Sequence, residues 1–141
     1  MTIKEQEHIK REGYKEAMRY IANAKDYLQK AGTDGYDCYT DKKYVRTACG
    51  TAYCGGLEAL NTYFELKNPN ALESKEPQTI DFYRRNLAKE NRKILNALNT
   101  VYTHLHIDGY YRGRLEILTI KLGFQRAKEI IDLIKPVRAA Q

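Results

Sequence analysis

Residues 41–67 read DKKYVRTACGTAYCGGLEALNTYFELK, and this stretch decides the fold class. Val45, Ala48/Cys49, Ala52, Gly56, Leu57, Leu60 and Phe64 follow the 3.6-residue period of a helix with one buried face. Asp41 stands where an N-cap side chain accepts from the first free backbone N–H groups. Asn68-Pro69-Asn70 stops the segment, because a residue before proline is pushed out of the helical region. Nothing in the stretch alternates with the period of two that marks a strand.

The same period extends to either side. Tyr14, Ala17/Met18, Ile21, Ala24, Leu28 and Ala31 mark a first helix from about Ile3 to Ala31, stopped by Gly32-Thr33-Asp34-Gly35. A third helix is expected from Thr79, its N-cap, to about His106. Its core face is Ile80, Tyr83, Leu87, Ile94/Leu95, Leu98, Val101/Tyr102 and Leu105, interrupted by Asn91. Asp108-Gly109 then reads as a turn. A fourth helix is expected from about Arg114 to Lys135, closed by Pro136. Leu115, Leu118 and Leu122 form one stripe on it, and Ile117, Phe124, Ile131 and Ile134 another. The longest connection, from about Asn68 to Gln78, carries Pro69 and Pro77. These elements predict an all-α, up-down-up-down four-helix bundle, in one domain over residues 1–141.

A chain of 141 residues can bury roughly 70% of its unfolded surface, so it needs no metal or disulfide to stay folded. No stretch approaches a membrane span, and the charged start Met1-Thr2-Ile3-Lys4-Glu5-Gln6-Glu7 lacks a signal-peptide core. Cys38, Cys49 and Cys54 are odd in number and lack a fourth ligand at zinc spacing. They read as reduced thiols of a cytoplasmic protein, with no metal and no cofactor expected. The net charge of +6 is unevenly spread. Residues 1–79 hold 12 basic against 12 acidic side chains, and residues 80–141 hold 12 against 6. Such a surplus suits an acidic partner such as RNA or DNA, or simply a solvated surface.

Three features invite a functional reading. The run Ala48-Cys49-Gly50-Thr51-Ala52-Tyr53-Cys54-Gly55-Gly56 places three glycines inside a helix, at about 1 kcal/mol each. Close approach to a neighbouring helix or a second subunit explains it. A phosphate loop does not, because the run lacks the P-loop pattern and follows no strand. Twelve tyrosines and no tryptophan suit core or dimer-interface positions, with Tyr36, Tyr39, Tyr44, Tyr110 and Tyr111 in or beside loops.

The densest patch is Tyr102, His104, His106, Asp108, Tyr110, Tyr111, Arg112 and Arg114. His104 and His106 are two apart, which is not the spacing of a helical metal pair. They could act as acid or base beside phosphate, or simply cap the helix with the neighbouring arginines. Arg84 and Arg85 begin a basic run continued by Lys89, Arg92 and Lys93. The candidate binding residues are therefore His104, His106, Tyr110, Tyr111, Arg112, Arg114, Arg84 and Arg85, with no catalytic residue assigned.

Several motifs carry a resemblance. Tyr14-x-x-Ala17 through Tyr27-Leu28 is followed by Ala48-Cys49-Gly50-Thr51-Ala52-Tyr53 running into Leu57-Glu58-Ala59-Leu60. Then come Tyr102-x-x-Leu105-His106-x-x-Gly109-Tyr110-Tyr111-x-Gly113 and Gly123-Phe124-x-x-Ala127-Lys128-x-Ile130-Ile131. Over about residues 14–136 the chain resembles a bacterial family of small helical proteins of unknown function, which implies no activity. More loosely, the alanine-rich second helix and the Tyr-Tyr-Gly turn are similar to the HEPN superfamily. That likeness implies a four-helix bundle, often dimeric and in some members ribonucleolytic.

Catalytic members of that superfamily carry Arg, four to six residues, then His. Here Ala97, Leu98 and Asn99 precede His104 at those distances, and Asn99, Thr100 and Val101 precede His106. No arginine precedes His8. The resemblance therefore implies a binding or assembly protein, expected as a homodimer that acts through a protein partner or a nucleotide-bearing ligand. The alternatives are a nucleic-acid-binding protein using the basic second half, and a purely structural one.

Overall fold

The computed structural model describes residues 1–69 and 78–137. Among them every regular element is helical. None of their helices is long and apolar enough to cross a membrane.

Helix α1 spans Ile3–Ala31, and Thr2 caps it by accepting from the Glu5 N–H at 3.1 Å. Its buried positions are Ala17, Ile21, Ala24 and Ala31, the small-residue face that lets a neighbour come close. Gly32 follows at φ 64°, a left-handed conformation that lets the chain turn away. Helix α2 spans Lys42–Lys67 with Asp41 as its N-cap, accepting from the Lys43 N–H at 3.1 Å, and ends at Asn68, as the sequence predicts.

α2 is the hub of the molecule, packed against α1 along its length and against the later helices. Its small-residue run serves approach within the chain. A Cβ added at Gly55 would lie 3.2 Å from the Ala17 carbonyl oxygen and 3.0 Å from Tyr20 Cβ. The α1–α2 loop is tied down at a distance: the Tyr39 N–H donates to the Leu115 carbonyl and the Ile117 N–H to the Asp37 carbonyl, both at 2.9 Å. Tyr39 is buried by this pairing rather than offered at the surface.

The expected third helix is three segments. Helix α3 runs Ile80–Glu90, with Thr79 as the cap, and helix α4 runs Arg92–Val101. Asn91 separates them in an extended conformation (φ −161°, ψ 95°). It ends α3 by donating its N–H to the Leu87 carbonyl and starts α4 by accepting from the Ile94 N–H. Asparagine side chains favour such caps over helix interiors. From Tyr102 the chain widens into a π-helical segment, Tyr102–Tyr111.

The expected turn at Asp108-Gly109 does not form. The segment passes through it and the chain turns at Arg112-Gly113, with Gly113 at φ 63°. Gly109 is needed for proximity instead, since a Cβ there would sit 2.7 Å from Cys49 Cβ on α2.

The last helix, α5, spans Ile117–Asp132 and so starts later and ends earlier than expected. Its buried face is Ile120, Gly123, Phe124, Ala127, Ile130 and Ile131, followed by buried Ile134. The Leu115, Leu118 and Leu122 stripe is not a core face. Leu118 is 83% exposed, while Leu115 and Leu122 are half-buried. The phase of α5 is set by Gly123, which receives Leu105, and this turns Leu118 outward. Phe64 of α2 anchors α3 through Phe82 and Tyr83, with ring centroids 6.2 and 6.3 Å away. Such pairs contribute about 0.5–1.5 kcal/mol beyond their buried area. Most of the expected 68–78 connection lies outside the described residues.

Candidate functional site

A π-helix closes its hydrogen bonds between residues i and i+5, so side chains about four to five apart fall on one face. Tyr102, His106, Tyr110 and Tyr111 have that spacing, and their rings meet. His106 lies 5.3 Å from Tyr102, 6.1 Å from Tyr110 and 5.1 Å from Tyr111, centroid to centroid. Across the groove, Tyr53 of α2 stacks on the same imidazole at 4.6 Å with an interplanar angle of 22°. One histidine thus sits among four tyrosines. An ordinary α-helix would keep Tyr102, His106 and Tyr110 on one side but would carry Tyr111, five residues after His106, well round from it. Short π segments are frequent at functional sites.

Two arginines bracket the rings. Arg84 of α3 lies 4.9 Å over the Tyr102 ring and is oriented by its Nε–H, which donates to Asn99 Oδ1 at 2.8 Å. Arg46 of α2 lies 5.8 Å from the Tyr110 ring and donates its Nε–H to the Tyr110 carbonyl at 2.8 Å. Cations over aromatic faces at these distances are attracted by about 0.5–1 kcal/mol when exposed.

Between the rings and α1 lies an open groove of about 480 Å³, whose lining includes Tyr20, Arg46, Thr47, Tyr53, His106 and Tyr110. That size suits a small ligand. A larger hollow of about 620 Å³ follows the start of α1 from Thr2 to Arg11 and gathers no comparable set of rings and fixed cations.

Burial tunes the groups around the groove. It lowers the pKa of His106 from its ordinary 6.5, so the imidazole favours the neutral form near neutral pH. It also pushes the Tyr53 hydroxyl up to about 12, Tyr102 adding to the rise and Arg84 opposing it. Burial likewise raises the thiols of Cys38 and Cys54, and takes Cys49 to about 12. These cysteines are protonated near neutral pH and therefore weak nucleophiles. No described residue hydrogen-bonds the His106 nitrogens; the partners placed on it are rings. The arrangement is one for stacking.

The expected patch is divided by the fold. His106, Tyr110 and Tyr111 come together, and Arg84 joins them through Tyr102. His104 does not join them: its Nδ1 is 3.2 Å from the Thr119 carbonyl, on the side facing α5. Arg112 pairs with Asp108 at 3.4 Å and Arg114 with Glu116 at 3.6 Å. Arg85 is exposed on α3. Tyr53, Arg46 and Thr47 of α2, like Tyr20 of α1, line the groove and were not among the candidates read from the sequence. Their signal was slight: Tyr53 stands in the small-residue run, seven residues after Arg46 and so on the same face of α2, and Thr47 adjoins Arg46. The acidic cluster Asp34–Asp37–Cys38 belongs to the α1–α2 loop. There Asp34 Oδ1 accepts from the N–H groups of residues 36, 37 and 38, which lowers its pKa.

Residues 12–136 match the model of the DUF5618 family, described as a domain of unknown function, and the chain belongs to that family. None of the curated proteins compared with it matches. Among solved structures it is similar to a protein of unknown function from Dyadobacter fermentans. The two are 43% identical, with 88% of this chain and 94% of that one covered and a TM-score of 0.77.

Proposed function

We propose that this DUF5618 protein is a non-catalytic binding module of one domain that takes a nucleotide-bearing ligand in the groove between α2 and the π segment. The observation that carries the reading is the stack of Tyr53 on His106 beside Arg46, at an open hollow of about 480 Å³. Flat rings accept a base, at about 1–3 kcal/mol for each stacked base, and an adjacent guanidinium accepts phosphate.

A HEPN-like, up-down-up-down bundle agrees with this reading when α3, α4 and the π segment are taken as one broken pass. A cytoplasmic setting is supported by three free cysteines. The small-residue run is occupied within the chain. A homodimer or a protein partner would therefore use exposed aromatic positions such as Tyr36 and Tyr111.

The test is fluorescence anisotropy with labelled adenosine nucleotides and labelled single-stranded RNA, each at 50 and 200 mM salt. Saturable nucleotide binding that is lost in Tyr53→Ala and His106→Ala supports the reading. RNA binding that collapses at the higher salt and is reduced by changing Arg84, Arg85, Arg112 and Arg114 to alanine supports the nucleic-acid alternative. Absence of both would sink the two together.

A further inference from the structure

We infer that the ligand of this groove is a nucleoside di- or triphosphate whose phosphate chain lies on Lys42, Lys43 and Arg46. This deepens the proposed function and rests on it. Beside the ring groove lies a second hollow of about 410 Å³ lined by Lys42, Lys43, Arg46, Thr47 and Tyr110. Arg46, Thr47 and Tyr110 line both, so the two hollows adjoin, and the stacked rings lie next to a cluster of cations.

Two of the three exposed cations have a contact that places them. Arg46 is anchored by its Nε to the Tyr110 carbonyl, and no hydrogen bond to a described residue uses its terminal nitrogens. Lys42 lays its aliphatic stem against Gly113, where a Cβ would come within 3.1 Å of its Cγ and Cε. The Thr47 hydroxyl, bonded to the Lys43 carbonyl at 2.9 Å, stands between the two hollows. The nearest acid in the chain, Asp41, has its carboxylate on the Lys43 N–H. Lys42, Lys43 and Arg46 are in no ion pair with a described residue. Several other basic side chains, such as Lys10, Lys25 and Lys121, share that freedom from ion pairs with described residues, so it is the gathering of three such cations beside the rings that sets this place apart.

Their placement opposes stability. Lys42 and Arg46 are like charges at i, i+4, and both lysines sit in the first turn of α2, where the helix dipole disfavours cations. Three cations gathered against these costs match a chain of phosphates better than a single one. A monophosphate bound through the rings would leave Lys42 and Lys43 without their counter-charge.

Isothermal titration of the full chain at 50 mM salt with AMP, ADP, ATP and inorganic tripolyphosphate tests this. The expected result is ADP and ATP binding at least tenfold tighter than AMP. Lys43→Ala should weaken ADP and ATP severalfold and AMP distinctly less, so that the gap between them narrows. Lys43 is exposed, so the variant should fold, and Lys43→Gln gives an independent check. Tyr53→Ala should weaken all three nucleotides alike and spare tripolyphosphate.

Equal affinities for AMP, ADP and ATP, or a Lys43→Ala loss shared equally by AMP, would overturn the inference and leave the ring site standing. Tripolyphosphate binding that depends on Lys43, without binding of any nucleotide, would overturn the ring site and keep the cationic one. Binding only to oligoribonucleotides would overturn both in favour of a polymer ligand.

Discussion

Gly109 of the π segment rests on Cys49 of α2 so closely that a Cβ at position 109 would stand 2.7 Å from Cys49 Cβ, with the Sγ nearer still. Both residues are buried, Cys49 completely. The contact brings the ladder of Tyr102, His106, Tyr110 and Tyr111 against α2, and with it the stack on Tyr53. A glycine in a turn motif is thus used for proximity.

Gly109→Ala should destabilise the protein by about 1–3 kcal/mol, the usual cost of forcing a methyl group into a packed site. Urea unfolding of the single variant and of Gly109→Ala combined with Cys49→Ala would measure it. Removing Sγ should recover part of the loss and no more, because the two Cβ atoms still meet. Full additivity of the two changes would show that the residues do not touch.

Acid should weaken the fold through His106. Burial lowers its folded-state pKa below the unfolded value near 6.5, so the unfolded chain binds the proton more readily. Stability held above pH 6.5 is therefore lost as pH falls through the folded-state pKa. His106→Phe, which keeps a ring against Tyr53, should flatten that part of the profile in thermal melts between pH 7.5 and 5. An unchanged slope in the variant would assign the effect elsewhere.

Asn91 should behave as a cap rather than as a helix-interior residue. Its Oδ1 accepts from the Ile94 N–H at 3.1 Å, so Asn91→Ala should cost about 0.5–2 kcal/mol and Asn91→Asp much less. A variant whose helicity and stability both rise would mean that α3 and α4 prefer to merge.

Two leucines should differ sharply. Leu105 is fully buried against Gly123, and Leu105→Ala should cost about 2–5 kcal/mol. Leu118 is 83% exposed, and Leu118→Ser should stay within about 0.5 kcal/mol of the parent. Denaturant midpoints at constant m value decide the comparison.

Much of the molecule was legible in the chain. Asp41, Thr79 and Asn68 mark helix ends in the sequence and do so in the structure, because caps and stops act on neighbouring backbone groups. The buried face of α2 was legible too, since a long helix with one wet side must keep a period of 3.6. Leu118 was misread because α5 has hydrophobic residues on two faces, and periodicity does not say which one meets a partner. His104 and His106 looked equivalent in sequence, yet one faces Thr119 and the other Tyr53.

The sequence by itself determined the all-helical class, the helix ends set by local caps, and a chain rich in tyrosine and basic side chains. Those properties depend on residues within a few positions of one another. Only the tertiary structure decided that residues 102–111 widen into a π segment, that Gly109 meets Cys49, and that Arg46 and Tyr53 join His106. The reason is physical: helix widening and ring stacking depend on how the segment packs against α2, which lies about fifty residues earlier in the chain. Local backbone preferences hold no record of that packing.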